Sequence, residues 1–301
     1  MEGKKSTKGK KTPIKNESED IYTLQEKSTD HTISYKYSSF DELTEQGEYN
    51  FYGIIYDASF PQEEEHGYSC ILKLIDQTTN CLTHPNNFNE NIIYLIIKSS
   101  EKENIPFVHH IGDIIRIHRG FYSPKKKRNI YLNVSKINNQ IKGSWCLYHS
   151  NSTNNEPYAC SNKKYTVESQ DKLNLEGLKK WVRTYMGIDK SLKYPMQIKL
   201  ENRTKEGNDK DLMLHVVKKL EVDNHLILFV QDETDGCELH TYKYYNFIQE
   251  NDIIRVRSYK IFDNNNLVIN EIGNILVVPD YSSCYKIVFN ELTKKMKNIK
   301  G

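Results

Sequence analysis

Three landmarks recur in the same order along this chain, and no other feature limits its fold as much. The first set is Phe51-Tyr-Gly-Ile-Ile-Tyr56, then Ile71-Leu-Lys-Leu-Ile-Asp76-Gln-Thr78, then Gly112-Asp-Ile-Ile-Arg-Ile-His-Arg119. The second is Met213-Leu-His-Val-Val-Lys218, then Leu226-Ile-Leu-Phe-Val-Gln-Asp232-Glu-Thr234, then Asp252-Ile-Ile-Arg-Val-Arg257. Each set holds strand-like runs, an Asp-x-Thr turn closing one of them, and an Asp-Ile-Ile-Arg lead-in to another. Solenoid repeats have periods of about 20–50 residues, so an offset this large means two copies of a domain. The 301 residues suffice for two modest domains, each with its own core.

From Tyr35 onward strand signals dominate, with Ile and Val abundant and 21 tyrosines in all. Strands are expected over residues 51–56, 68–75, 92–98, 113–122 and 129–134, with one or two helical turns within 101–108. Five strands with a helical insertion between the third and fourth is the order of an OB-fold, a small Greek-key barrel. The second half repeats the pattern over 211–220, 226–231, 237–244, 252–262 and 266–278, and residues 284–300 suit a closing helix. Between the halves lie an Asn/Ser/Thr-rich loop (150–162) and one clear helix (167–186). Leu175, Leu178, Trp181, Val182 and Tyr185 recur there at three- and four-residue spacing, with Gly187 as a stop. This helix is expected against the first barrel or in the cleft between domains. The expected architecture is all-β: a disordered basic tail (1–34), a first OB-fold (35–150), a loop and linking α-helix (151–192) and a second OB-fold (193–301).

The net charge of +2 is small but unevenly placed: residues 1–16 carry six lysines and one glutamate, and Lys125-Lys-Lys-Arg128 is a second basic run. Such runs favour a polyanion partner or form a solvated face. The six cysteines include no C-x-x-C pair and stand near no patterned histidines, which argues against structural zinc and suits a reducing compartment. No apolar run approaches the ~18 residues of a membrane span, and the lysine-rich start lacks the apolar core of a signal peptide. A soluble intracellular protein without a membrane partner is expected. Gly3-Lys-Lys-Ser-Thr-Lys-Gly9-Lys10 is no phosphate loop, because its second glycine comes one residue late and no strand precedes it. G-x-S-x-G, H-E-x-x-H and a dinucleotide glycine fingerprint are missing. His109-His110 and His118 sit near a strand start, where structural or surface histidine is the ordinary reading. Neither catalytic residues nor a cofactor, metal or small-molecule substrate is expected.

Binding chemistry is better supported. Single-stranded nucleic acid requires a basic groove for its backbone and exposed aromatic faces for its bases. Arg116, Arg119, Phe121, Tyr122 and Lys125–Arg128 stand around the fourth and fifth predicted strands. Their second-half counterparts are Arg255, Arg257, Tyr259 and Lys260, with Tyr242, Tyr244 and Tyr245 a strand earlier. By alternation Arg255, Arg257 and Tyr259 share one face of their strand. They then line a groove, or else the arginines mark a solvated face while tyrosines fill the core. Lys73 faces opposite to Leu72 and Leu74, toward the usual ligand face of an OB-fold's second strand, where it serves a ligand or merely solvates the sheet. Asp76 and Asp232 are most simply turn caps before Thr78 and Thr234, although a carboxylate near the groove also suits a guanine edge.

The segments Phe51-Tyr-Gly-Ile-Ile-Tyr-Asp-Ala-Ser-Phe-Pro61, Tyr68-Ser-Cys-Ile-Leu-Lys-Leu-Ile-Asp-Gln-Thr78 and Ile105-Pro-Phe-Val-His-His-Ile-Gly-Asp-Ile-Ile-Arg-Ile-His-Arg119 resemble the telomere end-binding proteins, the ciliate alpha subunit and its relatives in the protection-of-telomeres family. Leu175-Glu-Gly-Leu-Lys-Lys-Trp181 is similar to that family's helix after the first barrel, and Ile253-Ile-Arg-Val-Arg-Ser258 to a strand of its second. The resemblance implies two OB-folds that grip the G-rich single-stranded 3′ overhang and cap chromosome ends in the nucleus, with a beta-type subunit or telomerase-associated proteins as further partners. It implies DNA contacts at Phe60, Tyr68, Lys73 and the loop near Tyr122, and at Arg255 and Arg257. Three departures stand out. Lys98 and Lys102 replace an aromatic on or after the third strand, the loop after Tyr122 is enriched in lysine, and Glu271-Ile272 stands where the ciliate alpha subunit carries His-Tyr. Fewer stacking platforms and more lysines enlarge the salt-dependent phosphate contribution. Relatives also continue into a third, partner-binding domain where this chain stops, which fits a fragment, a truncated paralogue or recruitment through other surfaces. The expected DNA-contacting set is Phe60, Tyr68, Lys73, Lys98, Arg119, Tyr122, Lys125, Lys126, Lys127, Asp232, Tyr242, Tyr244, Arg255, Arg257 and Tyr259. A general single-strand binder and a paralogue serving as a protein-interaction module are the alternatives.

Overall fold

Strand pairing in both halves follows one plan. The first half contributes β1 (Gly47–Ala58), β2 (Gln62–Glu64), β3 (Gly67–Ile75), β4 (Ile93–Ser99), β5 (Ile114–Ser123) and β6 (Asn129–Asn133). β1 pairs with β3, β3 with β4, β4 in parallel with β6, β6 with β5, and β5 returns to β1 to close the barrel. Leu72, Leu74, Leu95 and Ile97 are fully buried, while the alternate Ile71 is 46 % exposed, so the period-two pattern sets one face inward. The insertion after β4 is a single 3₁₀ turn, Lys102–Asn104. Next come the hairpin β7 (Lys136–Ile137) and β8 (Gln140–Ile141), then β9 (Ser144–Tyr148), which pairs with β5, and β10 (Ala159–Cys160), which pairs with β9. The computed structural model describes residues 35–78, 92–124, 128–134, 136–137, 140–141, 143–162, 165–188, 197–203 and 210–299, so the expected disordered tail lies outside the described residues.

The second half contributes β11 (Gln197–Ile198), β12 (Asp211–Val222), β13 (His225–Gln231), β14 (Gly236–Tyr242), β15 (Ile253–Ile261) and β16 (Leu267–Val278). Its order, β12-β13-β14-β16-β15 with β12 closing on β15, reproduces that of the first half. Two tandem OB-type barrels result, as the duplicated landmarks predict.

The duplication holds at atomic detail. Asp76 accepts the backbone N–H of Phe40 at 2.7 Å and both the N–H and hydroxyl of Thr78. Asp232 accepts the backbone N–H of Leu200, also at 2.7 Å, and both donors of Thr234. Each carboxylate thus ties the 3₁₀ turn before its barrel, Phe40–Glu42 or Leu200–Asn202, to the end of the second strand. Asp113 and Asp252 likewise accept the N–H three residues back, from His110 and Gln249, while their carbonyls accept from Ile55 and Val216 on the first strand. The preceding residue is left-handed in both copies, Gly112 at φ 89° and Asn251 at φ 72°. Both first strands bulge at the equivalent point, between Ile55 and Asp57 and between Val216 and Lys218.

Helix α1 (Ser169–Ile188) buries Leu175, Leu178, Val182, Tyr185 and Met186 against the first barrel, with Trp181 stacked on Tyr185 at 4.6 Å. Its first turn holds the buried Asp171, which accepts from the backbone of Glu168 (2.8 Å), the Tyr52 hydroxyl (2.5 Å) and the Arg116 guanidinium (3.1 Å). The terminal helix α2 (Ser283–Ile299) adds Cys284, Val288 and Leu292 to the core cluster that contains Met213, Ile253 and Leu276 of the second barrel together with the first barrel's interior. One core therefore continues across the seam between barrels. Backbone bonds cross there too, Ile111 N–H to Val277 O at 2.9 Å and Val277 N–H to His109 O at 3.0 Å. Among the described residues no helix is long and apolar enough to cross a membrane.

Candidate nucleic-acid interface

On an OB-fold the outer face of the second and third strands, with the loop between the first and second, is where oligonucleotides lie. In the first barrel that face carries Ile71 and Lys73 on β3 and Tyr94, Ile96 and Lys98 on β4. In register, Ile71 opposes Ile96, Ile96 opposes Tyr131 and Tyr131 opposes Phe121, an apolar and aromatic stripe across four strands. Phe121 at its end is 38 % exposed. Lys98 is exposed and paired with Glu64 at 2.6 Å, and Tyr68 is half-buried at the strand start opposite Ser99. Lys73 does point outward, and its ammonium lies 3.1 Å from Asp57. Exposed Arg119 has a left-handed backbone, φ 60°, held by the Asn50 side chain accepting from its N–H.

The two barrels meet through aromatic rings. Phe60, in the loop between the first two barrel strands, stacks on Tyr244 at 5.7 Å with the planes inclined by 29°, and Tyr244 stacks on Tyr242 at 5.2 Å, both tyrosines being 43 % exposed. Tyr242 ends the second barrel's third strand, opposite His225. Phe60, Tyr242 and Tyr244 thus join the ligand faces of both barrels. Sequence reading missed the rings behind them. Phe107 meets Phe60 edge-on at 5.8 Å and Phe247 at 5.9 Å, and His109 stacks on Phe247 at 4.0 Å and on Tyr158 at 4.6 Å. Phe107 sits inside a resembling segment, yet nothing in its spacing marks it as a bridge.

Several of the residues expected at the DNA are buried or committed to ion pairs. Arg255 is 1 % exposed and forms an ion pair with Asp57 of the first barrel. Arg257 grips Asp211 with two bonds of 2.8 Å and Asp57 at 3.1 and 3.2 Å. That guanidinium is largely committed to carboxylates, although its side chain stays 32 % exposed. The counterpart of Arg255 in the first copy, Arg116, is likewise buried and paired with a carboxylate outside its barrel, that of Asp171. Burial pushes the Asp57 carboxyl up, but Arg255, Arg257 and Lys73 outweigh it and hold the group well below the usual carboxylate range. Tyr122 is 6 % exposed within the first core, edge-on to Tyr49, and Tyr259 is fully buried in the second, so neither presents a face to a base. Asp232 is 2 % exposed and its oxygens are used by the turn, leaving the capping reading rather than a guanine contact. Lys125, Lys126 and Lys127 lie outside the described residues. His118 is buried, stacked on Tyr35 at 4.2 Å and hydrogen-bonded to the Tyr37 hydroxyl, in line with its structural reading.

The family model described as "Telomeric single stranded DNA binding POT1/CDC13" matches residues 32–192, more than half of the chain. The chain belongs to this family. The matched POT1/CDC13 segment takes in the first barrel and α1. Likeness to individual proteins extends further along the chain. The "Telomere-binding protein 51 kDa subunit" of Euplotes crassus is 26% identical over 279 residues, covering 84% of this chain and 60% of that protein. The "Telomere-binding protein subunit alpha" of Stylonychia mytilus is 22% identical over 298 residues, covering 91% of this chain and 58% of that protein. The chain thus spans less than two thirds of the length of these relatives. Among solved structures, "Crystal structure of fission yeast Pot1 and ssDNA" is similar over 87% of this chain and 93% of that one, with 13% identity and a TM-score of 0.38.

Proposed function

We propose that this chain binds G-rich single-stranded telomeric DNA through both barrels, covering the 3′ overhang in the nucleus and so protecting chromosome ends. The observation that carries the proposal is the ring-to-ring path Tyr242–Tyr244–Phe60, which connects the two OB ligand faces with exposed aromatic surface. Membership of the POT1/CDC13 family and the names of the ciliate relatives support the choice of ligand. Bases stack on the exposed tyrosines and along the Ile71-to-Phe121 stripe, while Arg119, Lys98 and the lysines at 125–127 meet phosphates. Capping works by sequestration, without a chemical step, and a beta-type subunit is a fitting further partner.

The test is fluorescence anisotropy of a labelled G-rich telomeric strand with a free 3′ end, beside its C-rich complement, a scrambled strand and the duplex, at one salt concentration. Preference for the G-rich single strand is the expected result. Equal binding of all single strands makes the protein a general binder, and no binding at near-physiological salt makes it an interaction module. Neutralising Lys125, Lys126 and Lys127 should weaken all single strands alike and reduce the salt slope, since phosphate contacts carry no sequence information. A change in sequence preference alone would refute that role.

A further inference from the structure

The adjacent His109 and His110 lead into β5, and His149 follows β9, so three imidazoles from two segments meet at the seam. One ring nitrogen from each lies within 4.8 Å of the others. Ring centres are 4.9 Å apart for His110 and His149, 5.8 Å for His109 and His149, and 6.1 Å for His109 and His110. Three imidazoles on one tetrahedral ion, with metal–nitrogen bonds of about 2.0–2.1 Å, hold their ring centres about 5 Å apart. The His110–His149 pair already has that spacing, and His109 stands about 1 Å further out.

The surroundings match such a set. Asp113, 1 % exposed, stands 3.4 Å from Nδ1 of His110 and 3.4 Å from Nδ1 of His149, and it also accepts from the Tyr158 hydroxyl at 3.0 Å. A carboxylate that accepts the Nδ1–H of a histidine fixes the tautomer with its lone pair on Nε2, the arrangement that orients and strengthens histidine ligands. Two histidines here share one such carboxylate. His109 is sandwiched between Phe247 and Tyr158, and Tyr158 in turn stacks on His149 at 4.0 Å, so ring planes are fixed by packing. Neutral imidazole nitrogens suit zinc, copper and nickel rather than magnesium or calcium.

We propose that His109, His110 and His149 form a three-imidazole site for a zinc-type divalent ion, with Asp113 as the positioning residue and water as the fourth ligand. Because Phe247 of the second barrel stacks on His109, and Val277 bonds to the His109 backbone, an ion bound here clamps the joint between barrels. The site stands independently of what the protein's outer faces bind.

The tag-free, chelator-treated 301-residue chain titrated with cobalt(II) alone tests this by visible absorption. The expected result is one equivalent bound with the intense 500–600 nm bands of tetrahedral nitrogen and oxygen coordination, reversed by zinc. His149→Gln and His109→Gln should each weaken binding at least tenfold while the circular dichroism spectrum stays that of the parent. Asp113→Asn should weaken it by about 10–100-fold, as lost outer-shell partners do elsewhere. Absence of stoichiometric binding, octahedral weak bands, a thiolate charge-transfer band from the cysteines, or unchanged affinity in both histidine variants would each overturn the site. If a histidine variant unfolds, a metal-dependent rise in the parent's melting temperature decides, and no rise counts against the proposal.

Discussion

Asp57 is 4 % exposed and receives two guanidiniums and an ammonium, from Arg255, Arg257 and Lys73. Desolvating that carboxylate is costly, and only the converging cations offset it; the reverse holds for Arg255. Asp57→Asn keeps the shape and removes the charge, so unfolding in urea should show a loss of about 3–5 kcal/mol, the range for a broken buried pair. A loss below about 1 kcal/mol would mean that water screens the network as it does exposed pairs. The pH dependence has a definite sign. The folded-state carboxyl lies below its ordinary value of 3.8, so its contribution is fully present above that pH and is lost as acid is added below it. The parent should therefore lose more stability between neutral pH and pH 3 than Asp57→Asn does. Tyr244 belongs to the opposite category, a ring 43 % exposed that packs on Phe60, Phe107 and Tyr242 rather than inside a barrel. Tyr244→Ala should weaken the G-rich strand by about 1–3 kcal/mol, roughly 5- to 150-fold, with a smaller loss of stability than a core truncation gives. Tyr122→Phe and Tyr259→Phe should leave DNA affinity as it was, and an equal loss in all three would remove the special place of Tyr244.

At the level of elements, the paired turns make a matched test. Asp76→Ala and Asp232→Ala each leave a buried backbone N–H and a turn without its acceptor, so each should cost on the order of 2–3 kcal/mol in thermal or urea unfolding. DNA affinity per folded molecule should not move; a loss of affinity at full stability for Asp232→Ala would restore the guanine contact. The Asp-x-Thr caps were legible in the sequence because they span three residues, whereas the bonds to Phe40 and Leu200, 36 and 32 residues away, were not. The outward face of Lys73 was legible for the same reason, alternation against Leu72 and Leu74. The arginine strand was not. Alternation says that Arg255 and Arg257 share a side, but it does not say what covers that side, and the partner Asp57 is 198 residues away from Arg255. Tyr122 and Tyr259 show a related limit. A tyrosine in a strand fills a barrel interior as readily as it offers a face, and only the closed sheet decides which. Tyr242 and Tyr244 stand at and just past a strand end, where the interior has run out, and that position left them outside.

For the molecule as a whole the seam matters more than either barrel. Backbone pairing at Val277, the Asp57 network, the bond from Asn274 to the Ala58 carbonyl at 2.9 Å and a core shared with α2 join barrels that the sequence presents as two separate copies. Between the domains of one chain, relative motion is the default unless the interface is large and apolar. Here a shared core limits that freedom, so the two candidate ligand faces would need little further ordering to act together. Calorimetry of the full chain should accordingly give one cooperative transition for both barrels. Pairing Asp57→Asn with Asn274→Ala removes both the ionic and the amide link across the seam. It should split that transition in two, or lower it with a calorimetric enthalpy above the van't Hoff value. The same double variant should weaken a long G-rich strand that reaches both barrels more than a short one that occupies only the first, because an ordered joint is what makes the second contact intramolecular. Equal loss for long and short strands would show that the barrels bind DNA without needing each other's position.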